Sequence, residues 1–227
     1  MAQKVKEAQE TKKKAGRLRT TRNLFDRKPG KLVQFTDPIL QAVIGEAEQS
    51  GLWTIYGRDK NGKTRLALMM ARDFSYNEEV AFISAEEGFD KSFTDNMARS
   101  GITTADKIGW ADYMPIDQIV EQFRDSRKGR IIFIDNFTIY QDELKPPELK
   151  RRLIDALPGR LIIGLAHEER GLPYPALARM ATKMSKVIIH VDGNRADVVS
   201  RYSIGGNIAV DEQASKLYWG EFHNEPK

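Results

Sequence analysis

The stretch Leu52-Trp53-Thr54-Ile55-Tyr56-Gly57-Arg58-Asp59-Lys60-Asn61-Gly62-Lys63-Thr64-Arg65-Leu66-Ala67-Leu68-Met69-Met70-Ala71 decides the reading of this chain. Its first five residues form an apolar run suited to a buried strand, and the residues from Arg65 onward read as a helix. Between them, a glycine, four free positions and Gly-Lys-Thr match a phosphate-binding loop. The order matters physically. Main-chain N–H groups of such a loop wrap a phosphate, and the helix behind it turns the positive end of its dipole toward the ligand. Gly57, Arg58, Asp59, Lys60, Asn61, Gly62, Lys63, Thr64 and Arg65 are therefore the expected nucleotide-binding set. Within it, Lys63 reaches the outer phosphates and the Thr64 hydroxyl meets Mg²⁺.

Outward from this loop, strand and helix patterns alternate. The runs Val80–Ile83, Ile131–Ile134, Leu161–Leu165 and Val187–Val191 are short, apolar and bounded by polar or turn residues, as expected of parallel strands buried on both faces. Helical patterns fall at about 89–100, 115–126, 146–156 and 174–183. An earlier one starts at Pro38, with Thr36-Asp37 available as a cap. After residue 195 the rhythm changes. Segments 197–203, 207–211 and 216–220 are short, with Gly205-Gly206-Asn207 between the first two, which predicts an antiparallel extension. Trp53, Trp110, Met69 and Met70 read as core residues. The fold expected is an α/β core with a mostly parallel, helix-flanked sheet.

Composition narrows the setting. No run approaches the roughly 20 apolar residues that span a bilayer. No apolar signal-peptide core opens the chain, and there are no cysteines, so a cytoplasmic protein without disulfides or thiolate metal sites is expected. The net charge of +4 is unevenly spread: residues 1–31 carry 11 Lys/Arg against 3 Asp/Glu, and the remainder carries 25 against 29. The chain thus divides into a basic arm at 1–31 and a mildly acidic domain at 32–227. An arm of this kind either binds nucleic-acid phosphates or remains a solvated tail.

Hydrolysis requires a second hold on the metal and a group that orients water. Asp135 ends the run Ile131-Ile132-Phe133-Ile134, at the strand edge where α/β sheets bind ligands. Glu86 and Glu87 end the strand that follows the phosphate-loop helix, and either carboxylate suits the water or the cap of a helix starting near Phe89.

These residues in this order resemble the RecA-like ATPases: the phosphate loop, Ser84-Ala85-Glu86-Glu87, Asp135-Asn136, and an apolar strand leading into His167-Glu168-Glu169-Arg170-Gly171. The nearest branch is the RadA and KaiC type, in its compact single-domain form from phages and mobile elements. The resemblance covers about residues 33–220. It implies that Glu86 is the catalytic carboxylate and that ATP and Mg²⁺ are the cofactors. It places a polar sensor at His167, or at Ala166 on a strict alignment, and a loose match makes Phe93 a base-stacking residue. The family's Lys-x-Arg motif, which reaches a neighbouring subunit's nucleotide, is matched by Arg201, with Val199 where the lysine would stand. Single-stranded DNA would lie along 137–149, with Thr138, Tyr140, Lys145 and the adjacent Lys150, and along 167–177, with His167, Arg170 and Tyr174. The implied protein is a homo-oligomeric ring or filament acting on single-stranded DNA. The alternative is a KaiC-like or loader-type module that binds ATP to control a partner.

Overall fold

The computed structural model describes residues 18–124 and 129–220. Its centre is one sheet of nine strands in the order β3-β2-β4-β5-β1-β7-β8-β9, with β6 paired to β5. The strands are β1 Gly51–Gly57, β2 Val80–Ser84, β3 Ile108–Ala111, β4 Ile131–Asp135, β5 Leu161–Glu169, β6 Leu172–Tyr174, β7 Val187–Asp192, β8 Arg195–Ser200 and β9 Gly206–Ala209. β3, β2, β4, β5, β1 and β7 run parallel. The β7–β8 and β8–β9 pairs are antiparallel, which makes the expected extension. This is the α/β, RecA-like core read from the sequence.

Seven α-helices are described: α1 Thr21–Phe25, α2 Pro38–Ile44, α3 Lys63–Ser75, α4 Lys91–Arg99, α5 Ile116–Arg124, α6 Ala176–Met184 and α7 Glu212–Trp219. Strand alternation splits the core in two. On one face, Trp53 and Ile55 of β1, with Phe82 and Phe133, meet Leu66, Met70 and Phe74 of α3. The rings of Trp53 and Phe74 meet edge-on, their centroids 6.2 Å apart. On the other, Leu52, Ile83, Ile132 and Ile134 meet Ile116, Ile119 and Phe123 of α5, and Leu177 and Ala181 of α6. α2 begins as its sequence directs: Pro38 holds the first helical position, and the Asp37 carboxylate accepts from Ile39 N at 2.7 Å.

Several expectations are corrected. Segment 216–220 forms the end of helix α7 and its C-cap Gly220, not a strand; Asp211 caps the helix start by accepting from Ala214 N at 2.9 Å. Segment 146–156 is no regular α-helix but a 3₁₀ turn at Pro146–Glu148 followed by a π-helical turn at Lys150–Ile154. Neither Glu86 nor Glu87 caps α4. Asp90 does, taking Phe93 N at 2.7 Å, so the helix starts later than expected. Of the basic arm, residues 1–17 lie outside the described part. In its remainder, α1 is an exposed turn with a capping box between Thr20 and Asn23, and Lys31 pairs with Glu78.

Candidate functional site

The carboxyl ends of β1, β2, β4 and β5 border a cavity of about 510 Å³, where open α/β sheets place ligands. One wall is the loop between β1 and α3, whose path two glycines make possible. At Gly57 an added Cβ would lie 2.0 Å from Val191 O, so the loop leaves the sheet through a gap only glycine fits. Gly62 has φ +98, and a Cβ there would meet Asn194 Oδ1 at 2.8 Å. The loop is braced from behind. Asn61 Oδ1 accepts from Gly193 N at 2.8 Å, Asn194 N donates to Asn61 O at 3.1 Å, and Arg65 pairs with Asp211.

Lys63 is 7% exposed, and its Nζ donates to Arg58 O at 2.8 Å. That nitrogen also lies 3.6 Å from the Asp59 carboxylate. Asp59, Lys60, Gly62, Lys63, Thr64 and Arg65 line the cavity. Arg58 turns its side chain to Glu168 instead, its Nε 3.6 Å from the carboxylate.

Thr64 Oγ1 donates to Asp135 Oδ2 at 2.8 Å, which brings the two expected metal-holding residues together across 71 positions of sequence. Burial pushes the Asp135 carboxyl up to about 7; Glu86 and Glu87 add to the rise, while Thr64 and Lys63 oppose it. A buried carboxylate beside a hydroxyl, with two further acids nearby, fits a hard cation. Mg²⁺ takes few protein oxygens and fills its remaining positions with phosphate and water, so Thr64 and Asp135 are a sufficient protein contribution. Among the described residues, no cluster of three or more His, Cys, Asp or Glu offers a competing metal site.

Glu86 and Glu87 sit on the turn after β2. Ser84 Oγ closes that turn by donating to Gly88 O at 2.9 Å, and Ala85 N donates to Asp135 O at 2.7 Å. The turn is therefore tied to the Asp135 strand. Asn136 links the two further: its Nδ2 donates to Glu86 and lies 3.0 Å from His167 Nε2. His167 Nε2 lies 3.0 Å from Glu86 Oε1, and its Nδ1 faces the Asp59 carboxylate. The hydrogen bond to Glu86 raises the His167 pKa against the opposing effect of burial. Glu87 engages in no such triangle; burial, with Glu86 and Asp90 nearby, raises its pKa. Geometry thus distinguishes the two glutamates. Of the two sensor candidates, His167 reaches the cavity, while Ala166 is fully buried.

Asn136 joins Glu86 to His167, a role that only the fold brings out. Ser92, Asn96 and Arg99, along one face of α4, also line the cavity. Their spacing of four and then three residues on a helix was the available signal. Phe93 corrects an expectation: it is fully buried among Phe82, Phe89 and Trp110, so it offers no ring to a base.

Beyond His167, β5 and β6 form a hairpin with Arg170 at its tip, at φ +53. Thr138 Oγ1 donates to Tyr174 O at 3.4 Å, joining the 137–149 and 167–177 segments into one surface. Tyr140 is not part of that surface. It is fully buried, and its hydroxyl donates to Met114 O at 2.9 Å. Arg201 lies at the opposite end of the sheet from the phosphate loop. Ser200 pairs with Val187, four residues before Val191, the partner of Gly57, a separation of about 13 Å along β7. Arg201 therefore does not reach its own chain's cavity.

No family model matches this chain. It is similar to DNA repair and recombination protein RadB of Archaeoglobus fulgidus, with 27% identity over 139 residues. The match takes in 57% of this chain and 62% of the RadB length, so the chain spans less than two thirds of that relative. Among the described residues, no helix is long and apolar enough to cross a membrane. The phosphate-loop cavity, the RecA-like sheet and the distant similarity to an archaeal recombination protein all point in one direction.

Proposed function

We propose that this chain is a Mg²⁺-dependent ATPase of the RecA type that works in the cytoplasm on single-stranded DNA, in recombination, annealing or replication. One observation carries the reading: Lys63, the Thr64–Asp135 pair and the Glu86–Asn136–His167 triangle, from four different strand ends, converge on one cavity. In this reading the loop amides and Lys63 hold the phosphates, and Thr64 and Asp135 hold Mg²⁺, which neutralises charge on the transferred phosphoryl group. Glu86 orients the attacking water, fixed by Asn136 and His167. Arg201, remote from its own cavity, serves a neighbouring copy in a ring or filament, where a guanidinium stabilises phosphate charge. The chain divides into an arm at 1–31, which adds non-specific phosphate contacts, and the ATPase domain at 32–227. The name of the RadB relative supports the DNA setting.

A second reading has its own support. Val199 stands where the family's lysine would, and Glu169, its side chain 57% exposed, adds negative charge to the β5–β6 hairpin, while the Glu168 side chain is buried against Arg58 and His190. Both favour a KaiC-like or loader-type module whose nucleotide controls a partner. ATP turnover, measured with and without single-stranded DNA for the full chain and for a variant lacking residues 1–19, separates the two. DNA-stimulated turnover, with binding that weakens steeply in salt, is expected. No stimulation and no salt-dependent binding would overturn the DNA reading in favour of the module.

A further inference from the structure

Helix α4 turns toward the nucleotide cavity a polar stripe that phosphate and metal binding leave unused. Ser92, Asn96 and Arg99 line the cavity from one face of the helix, while Phe93 and Met97 pack into the core from the other. The cavity has two ends. Asp135, Glu86, Glu87 and His167 cluster at the end suited to metal and water. A nucleotide with its phosphates in the loop sends its terminal phosphate to that end and its base the other way. α4 starts at Lys91, just past the two glutamates, and carries the stripe away from them. At 1.5 Å rise per residue, Asn96 and Arg99 stand about 6 and 10 Å farther along the helix than Ser92, on the wall beyond the phosphates.

The two side chains hold each other. Arg99 Nη2 donates to Asn96 Oδ1 at 2.7 Å, and because a guanidinium only donates, this contact fixes which way the amide points. Asn96 Nδ2 then keeps both protons without a hydrogen bond among the described residues, and Oδ1 keeps a second lone pair. A half-buried amide held this way presents a donor beside an acceptor. Adenine offers the matching edge, its N6 amino donor beside the N7 acceptor. Guanine offers two acceptors there, O6 and N7, and one of them would face Oδ1. We propose that Asn96 reads the base of the bound nucleotide and selects adenine over guanine, with Arg99 as its positioning residue. The inference rests on the nucleotide-site reading above. Ser92 and Arg99 are exposed, so the stripe is open to water. The discrimination therefore falls at the low end for an amide–base pair, about five- to tenfold.

The experiment is calorimetric titration, with Mg²⁺, of a non-hydrolysable ATP analogue, its GTP counterpart, and tripolyphosphate, which carries no base. Wild type should favour the ATP analogue over the GTP analogue by about five- to tenfold. Asn96→Ala should abolish that preference by weakening the ATP analogue alone. Arg99→Ala frees the amide to turn and should shrink the preference as well. Both variants should bind tripolyphosphate within about twofold of wild type, since at physiological salt a surface charge beyond the phosphates is largely screened. No adenine preference in wild type, a preference that survives Asn96→Ala, or a larger loss of tripolyphosphate binding would overturn the base-reading role and leave the nucleotide site intact. A preference untouched by Arg99→Ala would remove Arg99 from the positioning role. If none of the three ligands binds wild type, the nucleotide-site reading itself falls, and this inference with it.

Discussion

The two ends of the β7–β8 ribbon are built to opposite plans. At the phosphate-loop end, the turn at Gly193-Asn194 is spent on its own chain. It holds Asn61 by main chain and side chain, and Asp211 just beyond β9 holds Arg65. At the far end the main chain is equally well anchored. Arg201 N donates to Lys186 O at 3.0 Å, and Ser200 Oγ donates to Ile44 O at 2.6 Å. Its side chains face outward instead: Val199 is 65% exposed, Ile204 is fully exposed, and the Arg201 guanidinium has no hydrogen bond or ion pair among the described residues. Rigid backbone beneath outward side chains is the physical condition for meeting another molecule. One end completes a site within the chain, and the other presents groups away from it.

Four measurements test this difference between the two ends. Glu86→Gln should keep nucleotide affinity and lower turnover by about 10²–10⁴, the range for loss of a positioned base. If Glu87→Gln does this instead, the triangle with Asn136 and His167 is not the catalytic one. Lys63→Ala should weaken nucleotide binding by at least about 100-fold, since a buried charge-assisted contact to phosphate is lost; affinity within tenfold of wild type would break the phosphate-loop end of the comparison.

The third is a stability profile without Mg²⁺ or nucleotide. Burial pushes the folded Asp135 carboxyl up to about 7, against the ordinary 3.8 of an exposed aspartate, so between those values the folded chain keeps a proton that the unfolded chain has lost. Stability should therefore fall as pH rises from about 4 to about 7 and level off above. Asp135 accounts for a few kcal/mol of the fall. Thermal melts of wild type and Asp135→Asn isolate this part, because other buried acids such as Asp73 titrate in both. A slope unchanged by the substitution would remove Asp135 as its source.

The smallest effect is expected at the far end. Arg201→Ala should leave nucleotide affinity unchanged and lower turnover by about tenfold or more, only at protein concentrations where copies associate. A loss at all concentrations, or none at any, would separate Arg201 from intersubunit work.

How much could be read beforehand varies with sequence distance. The phosphate loop was legible because its chemistry is local: strand, turn and helix occupy twenty consecutive residues. The edge carrying Glu86, Asp135 and His167 followed from strand order, since each lies at the end of an apolar run. Which glutamate joins Asn136 and His167 did not, because both line the cavity and Asn136 lies fifty residues from Glu86. The misread helix α7 shows the limit of short apolar runs. Leu217-Tyr218-Trp219 has strand-like content, yet Asp211 and Glu212 ahead of it form a helix start, and the cap decides. Phe93 and Tyr140 are functional only by the family resemblance; in the fold both rings are fully buried, Phe93 against Phe82, Phe89 and Trp110 and Tyr140 against Tyr113.

Strand β8 itself spans the distance between these plans. It is hydrogen-bonded along both sides, to β7 and to β9, so it behaves as a stiff rod and not as a hinge. One tip carries Arg201, and the other passes directly into Asn194, whose side chain backs Gly62 of the phosphate loop. Arg201 and the phosphate loop are thus joined by one paired strand and the single side chain of Asn194.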